Sequence, residues 1–211
     1  MEVLERIIAG IRNGDASAVA ALTREALANG APPEDVLGKG FLPGMDIVGK
    51  LFKKNEIFIP EVLIAAQAMK AGMSLIRPLL AGSGVRPAGK VVIGTVKGDL
   101  HDIGKNIVIM MLEGAGFEVV DLGYDVPRER FMEAVVKEAA DILGMSALLT
   151  TTMASMKDVI QGLEAAGMRT NVKVMIGGAP VTQSYADEIK ADGYAPDAAS
   201  AADLARALVG P

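Results

Sequence analysis

The sequence predicts an α/β protein in two parts: an N-terminal helical bundle, then a doubly wound, five-stranded parallel sheet. Three observations carry that prediction. Up to about residue 80 the apolar residues recur at helical spacing. From Lys90 onward, short β-branched runs alternate with helical stretches, as βα repeats require. Between them GSGVRPAG (82–89) clusters Gly, Ser and Pro and keeps no periodicity. The expected organisation is a helical domain at 1–82, a linker at 83–89 and an α/β domain at 90–211.

In the first part, Val3, Leu4, Ile7, Ile8 and Ile11 mark one helix that stops at Asn13-Gly14. Asp15 suits the N-cap of a second, running to Asn29-Gly30. Pro32-Pro33-Glu34-Asp35 opens a third, expected to break near Gly40, and a fourth follows Pro43 through Val48, Leu51 and Phe52. Pro60-Glu61 starts a long helix reaching about Leu80; Pro60 falls in its first turn, where the missing N–H costs nothing.

In the second part, KVVIGTV (90–96) is a continuous apolar run, as a strand buried on both faces should be. FEVVDLG (117–123), DILGMSAL (141–148) and KVMIGG (173–178) follow, each after a helical stretch. A weaker fifth strand lies near Gly193-Tyr194-Ala195, before a last helix to about Leu208. In the flavodoxin-like, Rossmann-related order 2-1-3-4-5, strands 1, 3 and 4 lie side by side. Ligands of such sheets bind past the strands' carboxyl ends, near the switch between strands 1 and 3.

Composition excludes several classes. The net charge is −5 with the two signs interspersed, and no segment joins Lys and Arg with aromatics, so no nucleic-acid footprint is present. Cys is absent, which removes disulfides and thiolate metal sites and agrees with a reducing, cytoplasmic setting. Trp is also absent, so aliphatic side chains and the twelve Met fill the cores. MEVLERIIAGIRNGD carries Glu2 and Glu5 and no clean apolar core, unlike a signal peptide. The apolar runs, broken by polar residues or Gly, are expected to fall short of a membrane span, which implies a soluble protein.

The chemistry is therefore expected after strands 1, 3 and 4. The first of these loops reads Gly98-Asp99-Leu100-His101-Asp102-Ile103-Gly104 and holds the single histidine of the chain. Asp99 is placed to accept the imidazole's second N–H, the support that metal-bound histidines usually have. Gly98 and Gly104 would let a large flat ligand approach the backbone. One His without Cys cannot assemble an ordinary zinc or non-haem iron site. A single nitrogen suffices when a macrocycle already holds the metal, which leaves haem or a corrinoid. The Gly-flanked loop of a parallel sheet, with its crevice for a nucleotide-like tail, points to the second.

Asp99-x-His101-x-x-Gly104 matches the cobalamin-binding motif DxHxxG. Ser146-Ala147-Leu148 follows after residues 105–145, and Gly177-Gly178 after residues 149–176. These motifs, in this order and at this spacing, resemble the corrinoid proteins of methyltransferase systems and the cobalamin-binding module of methionine synthase. The resemblance implies a cobamide held "base-off, His-on", with His101 as lower axial ligand to cobalt and Asp99 bonded to it. The tail would enter between strands 1 and 3 past Ser146 and Leu148, with Thr150 touching it and Gly177 and Gly178 making room. Asp102 and Ile103 complete the cofactor loop. Methionine synthase relatives place a Ser hydroxyl six residues beyond the Ser of SxL to complete a relay with the His and Asp; this chain has Thr152 there. Thr150-Thr151-Thr152 also reads as a helix N-cap.

The helical part resembles the cap of methyl-carrying corrinoid proteins over Gly44–Phe52, Phe58–Val62 and Ala68-Met69. In that family a Phe and an aliphatic residue seven positions later cover the corrin's upper face; here they are Phe52 and Ile59. An apolar lid would keep water off a nucleophilic Co(I), and the 82–89 linker would let it swing aside. The implied function is a methyl carrier between a substrate-specific methyltransferase and a second methyltransferase acting on tetrahydrofolate or coenzyme M, with a reductive activator as a further partner. There is no substrate barrel, so catalysis would need those partners. The rivals are the corrinoid subunit of an adenosylcobalamin mutase, in which a capping Phe would obstruct the adenosyl group, and a cobalamin sensor, which would bring a DNA-binding element and a basic face. A flavin or receiver domain would need phosphate-binding or acid-pocket loops that strand 1 does not supply.

Overall fold

The computed structural model describes residues 2–80 and 86–210. Contacts divide the chain into two compact units, Met1–Arg86 with Gly114–Gly116, and Pro87–Glu113 with Phe117–Pro211. Of the linker expected at 83–89, residues 83–85 lie outside the described residues; residues 86–89 belong to no helix or strand.

In the helical unit, α1 (Glu2–Arg12) buries Ile7 and Ile11. Asp15 caps α2 (Ala16–Ala28), its carboxylate accepting the Ala18 N–H at 2.9 Å. The break expected near Gly40 does not occur. Instead α3 (Pro33–Val36) runs through a π-turn at Leu37–Phe41 into α4 (Leu42–Lys53). The cause is local: Pro43 has no N–H for the carbonyl four residues back, and the chain widens one turn so that Leu42 donates to Leu37 instead.

Helix α5 (Ile59–Leu80) starts where Glu61 Oε2 accepts the Phe58 N–H at 3.0 Å, one half of a capping box. Contrary to the sequence expectation, this 22-residue helix is long and apolar enough, by length and composition, to cross a membrane. Its stripe Val62, Ala65, Ala68, Met69, Gly72 and Ile76 is buried, and it packs on α1, α2 and α4, the arrangement of a bundle's core helix.

The second unit is built on five strands: β1 (Lys90–Thr95), β2 (Glu118–Asp121), β3 (Ile142–Ser146), β4 (Lys173–Gly177) and β5 (Gly193–Ala195). All pairs are parallel, in the order β2-β1-β3-β4-β5. Between and after them run α6 (Ile103–Gly114), α7 (Arg128–Glu138), α8 (Ala154–Ala165), α9 (Gln183–Ile189) and α10 (Ala198–Val209). The central strands are buried through their length, which explains their unbroken apolar runs; the edge strand β2 is partly exposed. Phe131 of α7, Leu143 of β3, and Met156, Ile160 and Leu163 of α8 pack in one core cluster.

The strand order reverses direction between β1 and β3, which opens a crevice at their carboxyl ends. The register decides what lines it: Thr95 pairs with Ser146, and Ser146 with Gly177. Sequence segments separated by dozens of residues thus end side by side.

Candidate functional site

The site is organised around one buried carboxylate. Asp99 lies in the turn after β1, where its N–H bonds the Val96 carbonyl at 3.1 Å, and its side chain is 0% exposed. Oδ1 accepts the His101 backbone N–H at 3.1 Å and stands 2.7 Å from His101 Nδ1. Oδ2 accepts the amides of Leu148 at 2.8 Å and Leu149 at 3.2 Å, and lies 2.7 Å from the Thr152 hydroxyl. Two loops are thereby joined through a single side chain.

Burial raises the Asp99 pKa, but the hydrogen bonds from Leu148, Thr152 and both His101 groups outweigh it and hold the carboxyl well below the usual carboxylate range. An ionised carboxylate can only accept, so the proton of the 2.7 Å contact sits on Nδ1. Nε2 is then the lone-pair nitrogen, on a side chain that is half exposed. The Thr152 hydroxyl has one proton and two acceptors, Asp99 Oδ2 and the Leu149 carbonyl at 2.8 Å; the charged oxygen is the stronger.

The loop is clamped from outside as well. Thr95, buried at the end of β1, donates its hydroxyl to the His101 carbonyl at 3.0 Å. Asp125, in the loop after β2, accepts the Gly98 N–H at 2.7 Å and donates its own N–H to the Asp99 carbonyl at 3.0 Å.

The remaining candidates divide. Asp102 precedes α6, its side chain bonded to Asn106 at 3.2 Å; Ile103, the first residue of that helix, is 72% exposed. A Cβ at Gly104 would meet nothing within 4 Å, leaving an open approach. The hydroxyls of Ser146 and Thr150 bond no group among the described residues. Gly178 is required by the protein's own backbone, since a Cβ there, at φ +127°, would overlap the Ala147 carbonyl oxygen; at Gly177 a Cβ would only be tight, 3.1 Å from the Ala195 carbonyl oxygen. The N-cap expected from the three threonines does not form. Helix α8 starts at Ala154, and Thr152 spends its hydroxyl on the Asp99 side. Phe52 on α4 and Ile59 at the start of α5 belong to the helical unit, the first half-buried and the second 41% exposed.

Three contributors escaped sequence reasoning. The Leu149 amide is a backbone group without a side-chain signature. Thr95 was legible as the one hydroxyl in an apolar buried strand. Asp125 adopts φ +52° in a turn, a conformation Asp tolerates, and its target is visible only in three dimensions.

Residues 89–203 match a family model described as a B12 binding domain, and residues 3–77 match a second model with the same description. The chain belongs to the B12-binding corrinoid proteins. It is 41% identical to a corrinoid protein of Desulfitobacterium hafniense strain Y51 over 100% of this chain and 99% of that one. It is 49% identical to dimethylamine corrinoid protein 1 of Methanosarcina acetivorans over 84% of each chain. Among solved structures, the methanol:cobalamin methyltransferase complex MtaBC from Methanosarcina barkeri matches with a TM-score of 0.88 and 34% identity, covering 99% of this chain and 80% of that one.

The cofactor of this corrinoid protein is a cobamide, and the residues present fit one. Among the described residues no group of three or more His, Cys, Asp or Glu could hold a bare metal ion, whereas a macrocycle brings its own equatorial nitrogens. Exposed apolar side chains sit at the same strand ends: Leu100 and Ile103 after β1, Tyr124 after β2, Leu148 and Leu149 after β3. They offer the apolar surface a flat macrocycle needs beside the imidazole.

Proposed function

We propose that the protein is a methyl carrier that holds its cobamide base-off with His101 Nε2 as the lower ligand. It exchanges a methyl group between a substrate-specific methyltransferase and a second one acting on tetrahydrofolate or coenzyme M, with a reductive activator as a third partner in the cytoplasm. The 2.7 Å contact between Asp99 Oδ1 and His101 Nδ1 carries the reading, because it fixes which ring nitrogen is free to ligate. When bound, the cobamide supplies a cobalt that takes up a methyl group and yields it again.

The chain does the rest. Asp99 orients the ring and keeps Nδ1 protonated. The Leu148 and Leu149 amides and the Thr152 hydroxyl hold Asp99 in place and ionised. Gly98, Gly104, Asp102 and Ile103 form the loop under the corrin. Ser146, Leu148, Thr150, Gly177 and Gly178 are assigned to the displaced tail, and the register that sets Ser146 between Thr95 and Gly177 supports that assignment. Phe52 and Ile59 are assigned to the corrin's upper side on family resemblance; the division into a cap at 1–82, a linker at 83–89 and a cofactor domain at 90–211 follows the change of sequence pattern, and the two compact units support it. The relatives' names include methylamines and methanol, so the donor is read as a small N-methyl or O-methyl compound selected by the partner.

Because the chain has one histidine, uniform 15N-histidine labelling reports on one ligand. In the paramagnetic Co(II) state of the reconstituted protein, the axial nitrogen splits the EPR lines into triplets for 14N. Labelling should convert them to doublets. Persisting triplets, or no nitrogen splitting, would exclude the axial role of His101.

A further inference from the structure

We propose that Asp125 is a positioning residue for the axial histidine, acting through the backbone of the cofactor loop; this rests on the His-on reading above. The bonds of Asp125 run to the residues before His101 and not to its ring. Asp125 holds the backbone before and after the Asp99 side chain: its carboxylate takes the Gly98 N–H at 2.7 Å, and its own N–H is given to the Asp99 carbonyl at 3.0 Å.

The backbone at both ends of this clamp is left-handed. Gly98 has φ +84°, which glycine adopts freely, and Asp125 has φ +52°, which Asp tolerates better than most residues. The clamp's footing is itself fixed. The Gly123 carbonyl accepts the Thr95 N–H at 3.0 Å, the Val126 N–H bonds the Thr95 carbonyl at 3.0 Å, and Asp121 Oδ1 accepts the Gly123 N–H at 2.9 Å while paired with Lys105 at 2.7 Å. A rigid loop after β2 therefore sets where Asp99 begins, and Asp99 sets where the ring points. Without the clamp, Asp99 keeps its own donors, but the turn that carries it loses its two bonds to the loop after β2.

Asp125 is exposed, so substitution opens no core cavity. Three variants separate the hydrogen bond from backbone strain. Asp125→Asn keeps an acceptor oxygen and tolerates the left-handed backbone. Asp125→Gly tolerates the backbone and lacks the acceptor. Asp125→Ala lacks both. Each full-length variant is loaded with a cobamide, and two quantities are read: the cobamide dissociation constant and the histidine-ligated fraction in the 15N-labelled Co(II) EPR spectrum. Thermal melts of the unloaded proteins check the fold.

One hydrogen bond to a charged group corresponds to about a tenfold change in affinity. Asn should stay within about twofold of wild type, while Gly and Ala should both bind about tenfold more weakly with a reduced ligated fraction. Gly matching wild type in both quantities would overturn the proposal, since strain relief alone would then suffice; so would an Asn variant as impaired as Ala. A wild-type spectrum insensitive to the label sinks the His-on reading and this inference together. A label-sensitive wild type with unaffected Gly and Ala variants sinks this inference only.

Discussion

Replacing Thr152 with Val tests whether the hydroxyl serves Asp99 or merely fills space. Val keeps the branched shape that packs 3.5 Å from the position of a Gly98 Cβ and removes only the O–H. The lost bond is 2.7 Å long, at a side chain 7% exposed, and it ends on a carboxylate that is fully buried. A hydrogen bond to a charged group in that setting is worth about 1.5–3 kcal/mol. Four donors remain on Asp99, two from His101 and the amides of Leu148 and Leu149, so the carboxylate stays ionised and the loss falls near the lower end. For a cooperative unit of this size, about 2 kcal/mol lowers Tm by roughly 5–10 °C. The assay is a thermal or urea melt of the unloaded protein, with Thr152→Ser as control. Ser restores the donor and should recover most of the loss. If Val proves as stable as Ser, the hydroxyl contributes nothing to holding Asp99 and the relay is wrong.

Three further outcomes follow from the same contacts. Because the Asp99 pKa is depressed by folding, its contribution to stability is complete above the ordinary carboxylate value, about 3.9, and is lost as pH falls below it toward the lower folded value; Asp99→Asn should therefore flatten the acid limb of a stability profile below about pH 4, and an unchanged limb would refute the assignment. Gly178→Ala places a Cβ 1.8 Å from a carbonyl oxygen at φ +127°, so a loss of at least about 3 kcal/mol is expected even without cofactor, measured by urea unfolding; a smaller loss would mean that the loop after β4 moves freely. Asp121→Ala leaves the Lys105 ammonium, 2% exposed, with only Asn106, a change expected to cost about 3–5 kcal/mol, whereas Lys105→Met leaves an Asp121 that can turn to water and should cost clearly less; equal losses would show that the pair is not the source.

Much of this was legible from the chain. The βα alternation from Lys90 is a consequence of burying both faces of a parallel sheet, and the observed order β2-β1-β3-β4-β5 is the one it suggests. The helix start at Asp15 was also readable, because a cap acts within one turn. The expected break near Gly40 was misleading: Gly and Pro signal a stop, but one widened turn, with Leu42 donating to Leu37, carries the helix past the missing N–H of Pro43. The long α5 went unrecognised as membrane-length because polar residues interrupt its sequence, although not its apolar average.

By itself, the sequence determined which residue types were available: one imidazole, an Asp two positions before it, no thiol, and glycines where loops must turn tightly. Those are local facts, and hydrogen-bond chemistry acts on them over short spacings. Only the tertiary structure decided that Asp99 spends Oδ2 on the loop after β3, that Gly178 answers to the Ala147 carbonyl, and that Asp125 reaches Gly98 from the loop after β2. Strand register brings those groups together, and their backbone partners look alike in any sequence.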